Sequence, residues 1–438
     1  MRVRLPAMAI AVCGGVAVAG SNSDVIVSPI MLPHLPLGVV TLAGGKAVNL
    51  SVSAGAGAFR ASADPAGRIW TITDRGPSID CTEERDVIGP DDKQICAPGK
   101  RGKIYLVPGF APSIYAIDLG PGKHARFAEM IPLKGTSGRP LSGIANPLEH
   151  ARPETAYGTD GQVIAPDPSG IEPGALVRLK DGSFWVADGF GPSLLEVAPD
   201  GGVRRRIVPA TLADDLRDAD YPIEPHLPGI LSLRQVGRGF DGLALSPDEA
   251  FLFVAMCSPL MNPSQEVFRA SSTVRILKIE RLSGKVVEQF VYALDPPEAF
   301  QGESGIVGRS TRQSDIRVME IAALDASRLV VLERFRNLSR ISRIDLSNAV
   351  PLPHRFDDPA TQPGLEALPR ESWAQNGVVP LAKTLMFQSD PARGPAGRLS
   401  GMTVLSDREI AVIGNNDFGI DGSRTQMFRL TFPAPFLN

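Results

Sequence analysis

The sequence predicts an all-β fold, a β-propeller of six four-stranded blades, on three observations. A hairpin pattern, an apolar run then a polar turn then a second apolar run, occurs five times along the chain. Each copy is followed by a third strand-like run and in places by a fourth. Glycine (44) and proline (39) are both frequent, as a fold with many turns requires. Repetition of one unit outranks local propensity, and four antiparallel strands per repeat make a propeller blade.

The N-terminus reads as an export signal over residues 1–19. Arg2 and Arg4 precede a mostly apolar run, and Ala17-Val18-Ala19 offers a small-x-small cleavage site. The run is short for a bilayer span; an uncleaved anchor is the alternative. No later segment is apolar enough to cross a membrane, so no stable span is expected after cleavage, and the expected location is periplasmic or extracellular. Residues 20–35 are expected to be a flexible lead and 36–438 the propeller domain. Runs 37–42 and 48–52 are strand-like, and one of them is expected to complete the last blade and close the ring.

The first hairpin lies over 59–74 and ends at Asp74. A long polar loop follows over 78–101, carrying Cys81 and Cys96, and long structureless loops are usually functional or disordered. In an exported chain these two cysteines are expected to form a disulfide. Cys257 ends an apolar run and is expected to pack as a small buried hydrophobe. Further hairpins lie over 174–188, 239–256, 320–333 and 401–415. In the copy at 239–256, Ser246-Pro247-Asp248-Glu249 supplies the turn chemistry. Third strands are expected over 194–197, 274–279, 339–344 and 427–430, and fourth strands over 203–208 and 286–291.

The second strands end at Asp74, Asp188, Cys257, Glu333 and Asn415, at intervals of 114, 69, 76 and 82 residues. The first interval is too long for one unit. A degenerate blade over 120–165 gives six blades; five blades plus an insertion is the alternative. Short helical turns are expected over 210–219 and 365–373.

Net charge is −3, with both signs mixed along the chain. Nothing suggests a nucleic-acid groove. There is no phosphate-binding glycine loop, dinucleotide fingerprint or His-Glu-x-x-His helix. Gly302-Glu-Ser-Gly305 is not a Gly-x-Ser-x-Gly elbow, and the five histidines have no metal-ligand spacing, so a serine carboxylesterase has no Ser–His pair to nominate.

In a propeller, residues at the ends of the inner strands and their neighbours converge from every blade. Here those positions include Asp74, Arg75, Glu172, Asp188, Asp241, Glu320, Glu333, Arg334, Asn416 and Asp417. Converging carboxylates and amides suit calcium, which takes six to eight oxygen ligands. Interleaved arginines suit an anionic group. Each Asp or Asn alone reads as a turn residue, and Glu333-Arg334 alone as a rim ion pair; their recurrence in the repeat is what singles them out.

At these residues the sequence resembles the phytase-like propeller family, the group described as having esterase-like activity of phytase. The matching segments are Thr73-Asp-Arg-Gly-Pro77, Asp181-Gly-Ser-Phe-Trp-Val-Ala-Asp188 with Gly191-Pro-Ser-Leu194, and Gly239-Phe-Asp-Gly-Leu-Ala-Leu-Ser-Pro247. Leu329-Val-Val-Leu-Glu-Arg334 and Asn415-Asn-Asp-Phe-Gly419 complete the set. The resemblance implies an exported hydrolase of phosphate esters, with calcium and bound water at the channel mouth; a monomer acting on a small anionic or ester substrate is expected. By position it implies Asp74, Asp188, Asp241, Glu333, Asn416 and Asp417 as metal ligands, and Asp74, Arg75, Glu333 and Arg334 as catalytic residues. Two departures bear on the ligands. Gly189 stands where the family usually has an acidic residue, and the usual Glu-Gly opening of that repeat reads Pro173-Gly174, with Glu172 displaced by one. A non-catalytic propeller that binds a ligand or an envelope protein is the alternative.

Overall fold

The computed structural model describes residues 24–42, 45–89, 94–97, 101–149, 151, 153–300, 311–390, 394–395 and 397–436. The expected signal segment and Gly302–Gly305 lie outside them. Strands dominate, and the α-helical segments of the described residues, Glu84–Val87 and Gln265–Ala270, are four and six residues long. Among the described residues no helix is long and apolar enough to cross a membrane. The helical turns expected over 210–219 and 365–373 are short 3-10 turns.

Five sheets share one plan, a run of consecutive antiparallel strands. The first holds Ala54–Phe59, Arg68–Thr73, Ser113–Leu119 and Ala125–Pro132, and the second Pro173–Arg178, Phe184–Asp188, Ser193–Val197 and Val203–Pro209. The third holds Phe240–Leu245, Phe251–Met256, Thr273–Glu280 and Lys285–Ala293, and the fourth Ile316–Ala323, Arg328–Phe335, Leu338–Asp345 and Lys383–Gln388. The fifth holds Leu399–Val404, Glu409–Gly414 and Met427–Thr431, with Ile26–Ile30 on its outer edge. A parallel strand, Ile223–Leu227, extends the second sheet. The first strands of the five sheets neighbour one another in a closed circuit, by packing and not by hydrogen-bonded pairing.

Alternation of side chains explains the stacking. Along a strand successive side chains face opposite sides. In the second sheet Leu176, Phe184, Val186 and Leu195 meet Trp70, Ile72 and Ile114 of the first. Their neighbours Ala175, Trp185, Ala187 and Leu194 meet Leu243, Val254 and Ile276 of the third. Both faces are buried, which accounts for the continuous apolar runs. At the axis the first strands come very close. A Cβ on Gly57 would lie 2.6 Å from Ala175 Cα, and one on Gly401 would lie 2.9 Å from Gly57 C, so the small residues of Ala54–Phe59 are a packing requirement.

The closing strand differs from expectation. It is Ile26–Ile30, inside the lead expected to be flexible, paired antiparallel with Met427–Thr431. Pro29 is tolerated there because an edge strand need not donate at every position. The runs expected to close the ring instead pair with each other, as Pro36–Thr41 and Ala47–Ser51. Their apolar residues Val48 and Leu50 turn to Ile79, Ile88, Cys96 and Ile104, so this hairpin covers a different element.

That element explains the long first interval. Ser78–Asp80, Gly102–Tyr105, Thr155–Tyr157 and Val163–Ile164 form a separate small sheet. The region expected to hold a degenerate blade is thus divided. Ala125–Pro132 completes the first sheet, and 155–164 joins this additional one, outside the circuit. A disulfide between Cys81 and Cys96, Cα–Cα 5.8 Å, ties down its loop, as expected. Cys257 is buried, also as expected.

Candidate functional site

In each of the five hairpins the pairing slips by one or two residues near the start of the inner strand: Ala54/Gly57, Pro173/Ala175, Phe240/Gly242, Val318/Glu320 and Leu399/Gly401. Such bulges bend a strand and re-aim its side chains. The residues paired just before each slip are Thr73, Asp188, Met256, Glu333 and Gly414. The next residues along are therefore equivalent to one another: Asp74, Gly189, Cys257, Arg334 and Asn415. They ring one end of the circuit, its mouth.

This register corrects the alignment made from sequence. Asp188 and Glu333 are equivalent to Thr73, not to Asp74, and a one-residue step reverses the direction of a strand side chain. Asp188 is fully buried. It pairs with Arg206 and accepts from Phe190 N (2.8 Å), Glu172 N (3.2 Å) and Ser193 Oγ (3.3 Å). Glu333 is fully buried, accepting from Tyr292 Oη, Asp295 N (3.1 Å) and Lys383 Nζ (2.8 Å). Burial pushes both carboxyls up in pKa, against Arg206 in one case and Lys383 in the other. Both join structure rather than the mouth.

Glu320 sits on the axis. It accepts from Ala58 N (3.1 Å), Leu243 N (3.2 Å) and Ile321 N (3.0 Å), so one carboxyl ties together the inner strands of the first, third and fourth sheets. Burial pushes its pKa well up despite those donors.

One half of the mouth is acidic. Asp74 accepts from Arg75 N (2.6 Å) and Asn415 Nδ2 (3.3 Å), and Asn415 Oδ1 accepts from Ser53 Oγ (2.8 Å). Burial, with repulsion from Glu172, raises the Asp74 pKa from 3.8 to about 7. Asp241 is the bulge residue of its strand. Burial raises its pKa too; Cys257 and Arg317 oppose the rise and Glu172 adds to it. Glu172 thus acts on both Asp74 and Asp241. Arg75 is spoken for. It donates to Gly143 O (2.9 Å), pairs with Glu154 (3.0 Å) and Glu172 (3.4 Å), and lies over Tyr105 and Phe190.

The other half is basic. Arg317 and Arg334 are direct register partners across the fourth sheet's hairpin. Like charges placed opposite each other destabilise a strand pair. Arg334 donates only to neutral groups among the described residues, Leu399 O (3.1 Å) and Ser400 Oγ (3.4 Å). Burial, with repulsion from Arg317, lowers its pKa to about 10. Burial and Arg317 likewise lower Arg238 to about 9; its guanidinium donates to Ser314 O (2.6 Å). Such crowding is relieved by an anion, and a guanidinium fork matches phosphate or carboxylate oxygens.

The expected calcium ligands do not assemble as a set. Asp74 and Asp241 face the mouth; Asp188 and Glu333 are held in buried ion pairs. Asn416 is turned behind the mouth, donating to Ser51 Oγ (3.0 Å), and Asp417 lies on the rim, 3.3 Å from Arg398. Among the described residues no group of three or more His, Cys, Asp and Glu side chains could hold a metal ion. Gly189 explains part of the shortfall. A Cβ there would lie 2.9 Å from Asp241 Oδ1 and 3.7 Å from Glu172 Cγ, so an acidic residue at 189 would extend into the acidic half. Sequence reasoning passed over Arg317 and Arg238 and left Glu172 out of the metal set. Arg317 could have been found by pairing the 316–335 hairpin strand against strand.

A curated relative, an uncharacterized secreted protein of Arthroderma benhamiae, is 24% identical over 278 residues, 55% of this chain and 51% of that protein. The chain thus spans about half the length of that relative. Similar solved structures include the Cps50 (Swd1) β-propeller domain of Myceliophteria thermophila, at 9% identity, 76% of this chain, 93% of that one and TM-score 0.28. The Dos1 propeller matches at 7% identity, 90% of this chain, 81% of that one and TM-score 0.30. Similarity this low carries no functional inference. The family described as phytase-like, esterase-like activity of phytase, matches residues 54–418, from the inner strand of the first sheet to the rim residues after Asn415. By that match the chain belongs to the phytase-like family.

Proposed function

We propose that the chain is an exported hydrolase of phosphate esters working at the mouth of a five-bladed propeller. The observation that carries this reading is the Arg317–Arg334 pair, two guanidinium groups held opposite each other with no carboxylate salt bridge to either among the described residues. A phosphoryl group between them would offset their repulsion and lose charge density to both, the electrostatic term that usually dominates such reactions. Asp74, with a midpoint of about 7, is poised to take a proton from an attacking water in its ionised form. Arg75, fixed by Glu154 and Glu172, positions Asp74 through its backbone N–H.

Calcium, which the family resemblance implies, does not fit the side chains present, because among the described residues no group of three or more His, Cys, Asp and Glu could hold it, and no step is assigned to it. Export is supported by the N-terminal signal pattern, by the disulfide, which persists in oxidising compartments, and by the secreted relative.

A second reading, an anion-binding propeller without catalysis, is favoured by one observation: among the described residues the carboxylates do not form a preassembled metal site. The test is release of phosphate from inositol phosphates and aryl phosphates, with and without calcium, beside calorimetric binding of inorganic phosphate. Turnover lost in R334Q supports hydrolysis. Phosphate binding without turnover on any ester supports the second reading, and neither binding nor turnover overturns both.

A further inference from the structure

Away from the mouth, a cavity of about 360 Å3 lies between the segment running from Pro29 to Leu35, the strand Met427–Thr431 and the loop before that strand. It is within the size range of small-molecule sites, roughly 300–1,000 Å3. Its wall is mainly apolar, with Ile30, Leu32, Phe127, Met427 and Phe428. Six polar side chains also line it, those of His34, Ser51, Asn416, Arg424, Thr425 and Gln426, and three of them have unused capacity.

Asn416 is 3% exposed, and among the described residues its Oδ1 has no hydrogen-bond partner. Its orientation is fixed, because Nδ2 faces the carbonyl oxygen of Ser423 (3.4 Å) as well as Ser51 Oγ (3.0 Å). Only the amide nitrogen can face a carbonyl, so Oδ1 is left as an acceptor. Thr425 Oγ1 is also buried, without a partner among the described residues. Leaving a buried acceptor unsatisfied costs stability, which a ligand donor would recover. Arg424 lines the same cavity, is exposed, and pairs with no carboxylate among the described residues.

We propose that this cavity is a second ligand site, for a small apolar acid carrying an N–H or O–H donor. The apolar body meets Ile30, Leu32 and Phe127, the donor meets Asn416 Oδ1, and the acid group meets Arg424. The site is independent of the reading of the mouth. Because Ile30 and Met427 belong to the strand pair that completes the fifth sheet, an occupant bridges the two sides of that seam and raises the melting temperature.

The probe is 1-anilinonaphthalene-8-sulfonate, which combines fused apolar rings, one N–H and one sulfonate, followed by fluorescence titration of the full chain. Saturable binding at one site per chain is expected. Filling the cavity with L32W should weaken it at least tenfold, and R424A, at an exposed position that leaves the fold intact, about three- to tenfold. T425V should weaken it severalfold, and R334Q, at the mouth, should leave it unchanged. Naphthalene-1-sulfonate, which lacks the N–H, should bind more weakly than the anilino compound. The proposal is overturned if no saturable binding is seen, if R424A and L32W bind as the wild type does, or if R334Q abolishes binding.

Discussion

Replacing Asp74 with Asn tests the electrostatics of the mouth. In the folded chain the Asp74 carboxyl has its midpoint at about 7, against an ordinary 3.8, through burial and the nearness of Glu172. A group whose folded pKa is raised binds its proton more tightly when folded. Its ionisation therefore costs stability progressively as pH rises from 3.8 to 7, and the cost is complete above 7. The full displacement corresponds to about 4 kcal/mol, of which about 3 kcal/mol falls between pH 4.5 and 8.5. Asp74 is partly open to solvent, and screening lowers the expected span to about 1–3 kcal/mol. D74N keeps an acceptor for Arg75 N but sets an amide nitrogen or a lone acceptor against Asn415 Nδ2, a loss of about 1 kcal/mol that does not vary with pH. Denaturant unfolding of wild type and D74N at pH 4.5 and 8.5 separates the two effects. The wild type should lose stability relative to D74N by about 1–3 kcal/mol between the two pH values, and E172Q should shrink that span by bringing the Asp74 midpoint down. Parallel curves for wild type and D74N, or a wild type that gains on D74N with rising pH, would refute the reasoning.

Three further outcomes follow from the same geometry. R317Q or R334Q should weaken inorganic phosphate binding about 10- to 100-fold, at about 1.5–3 kcal/mol per charge-assisted hydrogen bond, and should raise the melting temperature of the free protein by removing one of two opposed charges; calorimetry and thermal melts report both. D188A leaves the Arg206 guanidinium buried without its carboxylate and should cost about 3–5 kcal/mol in denaturant unfolding, with phosphate affinity unchanged at temperatures where the variant is folded. Reducing the Cys81–Cys96 bond, which spans 15 residues, should cost about 3 kcal/mol, seen as a lower melting temperature in reductant.

The hairpins were legible in the sequence because both faces of each strand are buried, which makes the apolar runs continuous and the turns conspicuous. The disulfide was legible from two cysteines bounding one polar loop. The site was only half legible, and the reason is parity. Asp74, Asp188 and Glu333 all stand at the end of an apolar run, yet the bulges place Asp188 and Glu333 one residue short of the mouth position. One step sends Glu333 to Lys383 and Tyr292 while Arg334 reaches the mouth. Bulges leave little trace in apolar periodicity, so neither that reversal nor the role of Arg317 could be read directly. The closing strand was missed because Ile26–Ile30 contains a proline and lies in a Ser- and Pro-containing lead, while the apolar pattern at 48–52 belongs to the cover of the additional sheet.

The proposed hydrolysis requires an anion held between two opposed arginines at the mouth of the circuit. Determining the structure in the presence of inorganic phosphate tests it most directly. Phosphate oxygens are expected within hydrogen-bond distance of the guanidinium groups of both Arg317 and Arg334, on the side facing Asp74 and Asp241. Phosphate bound elsewhere, with those two side chains turned apart and the mouth holding only water, would contradict it.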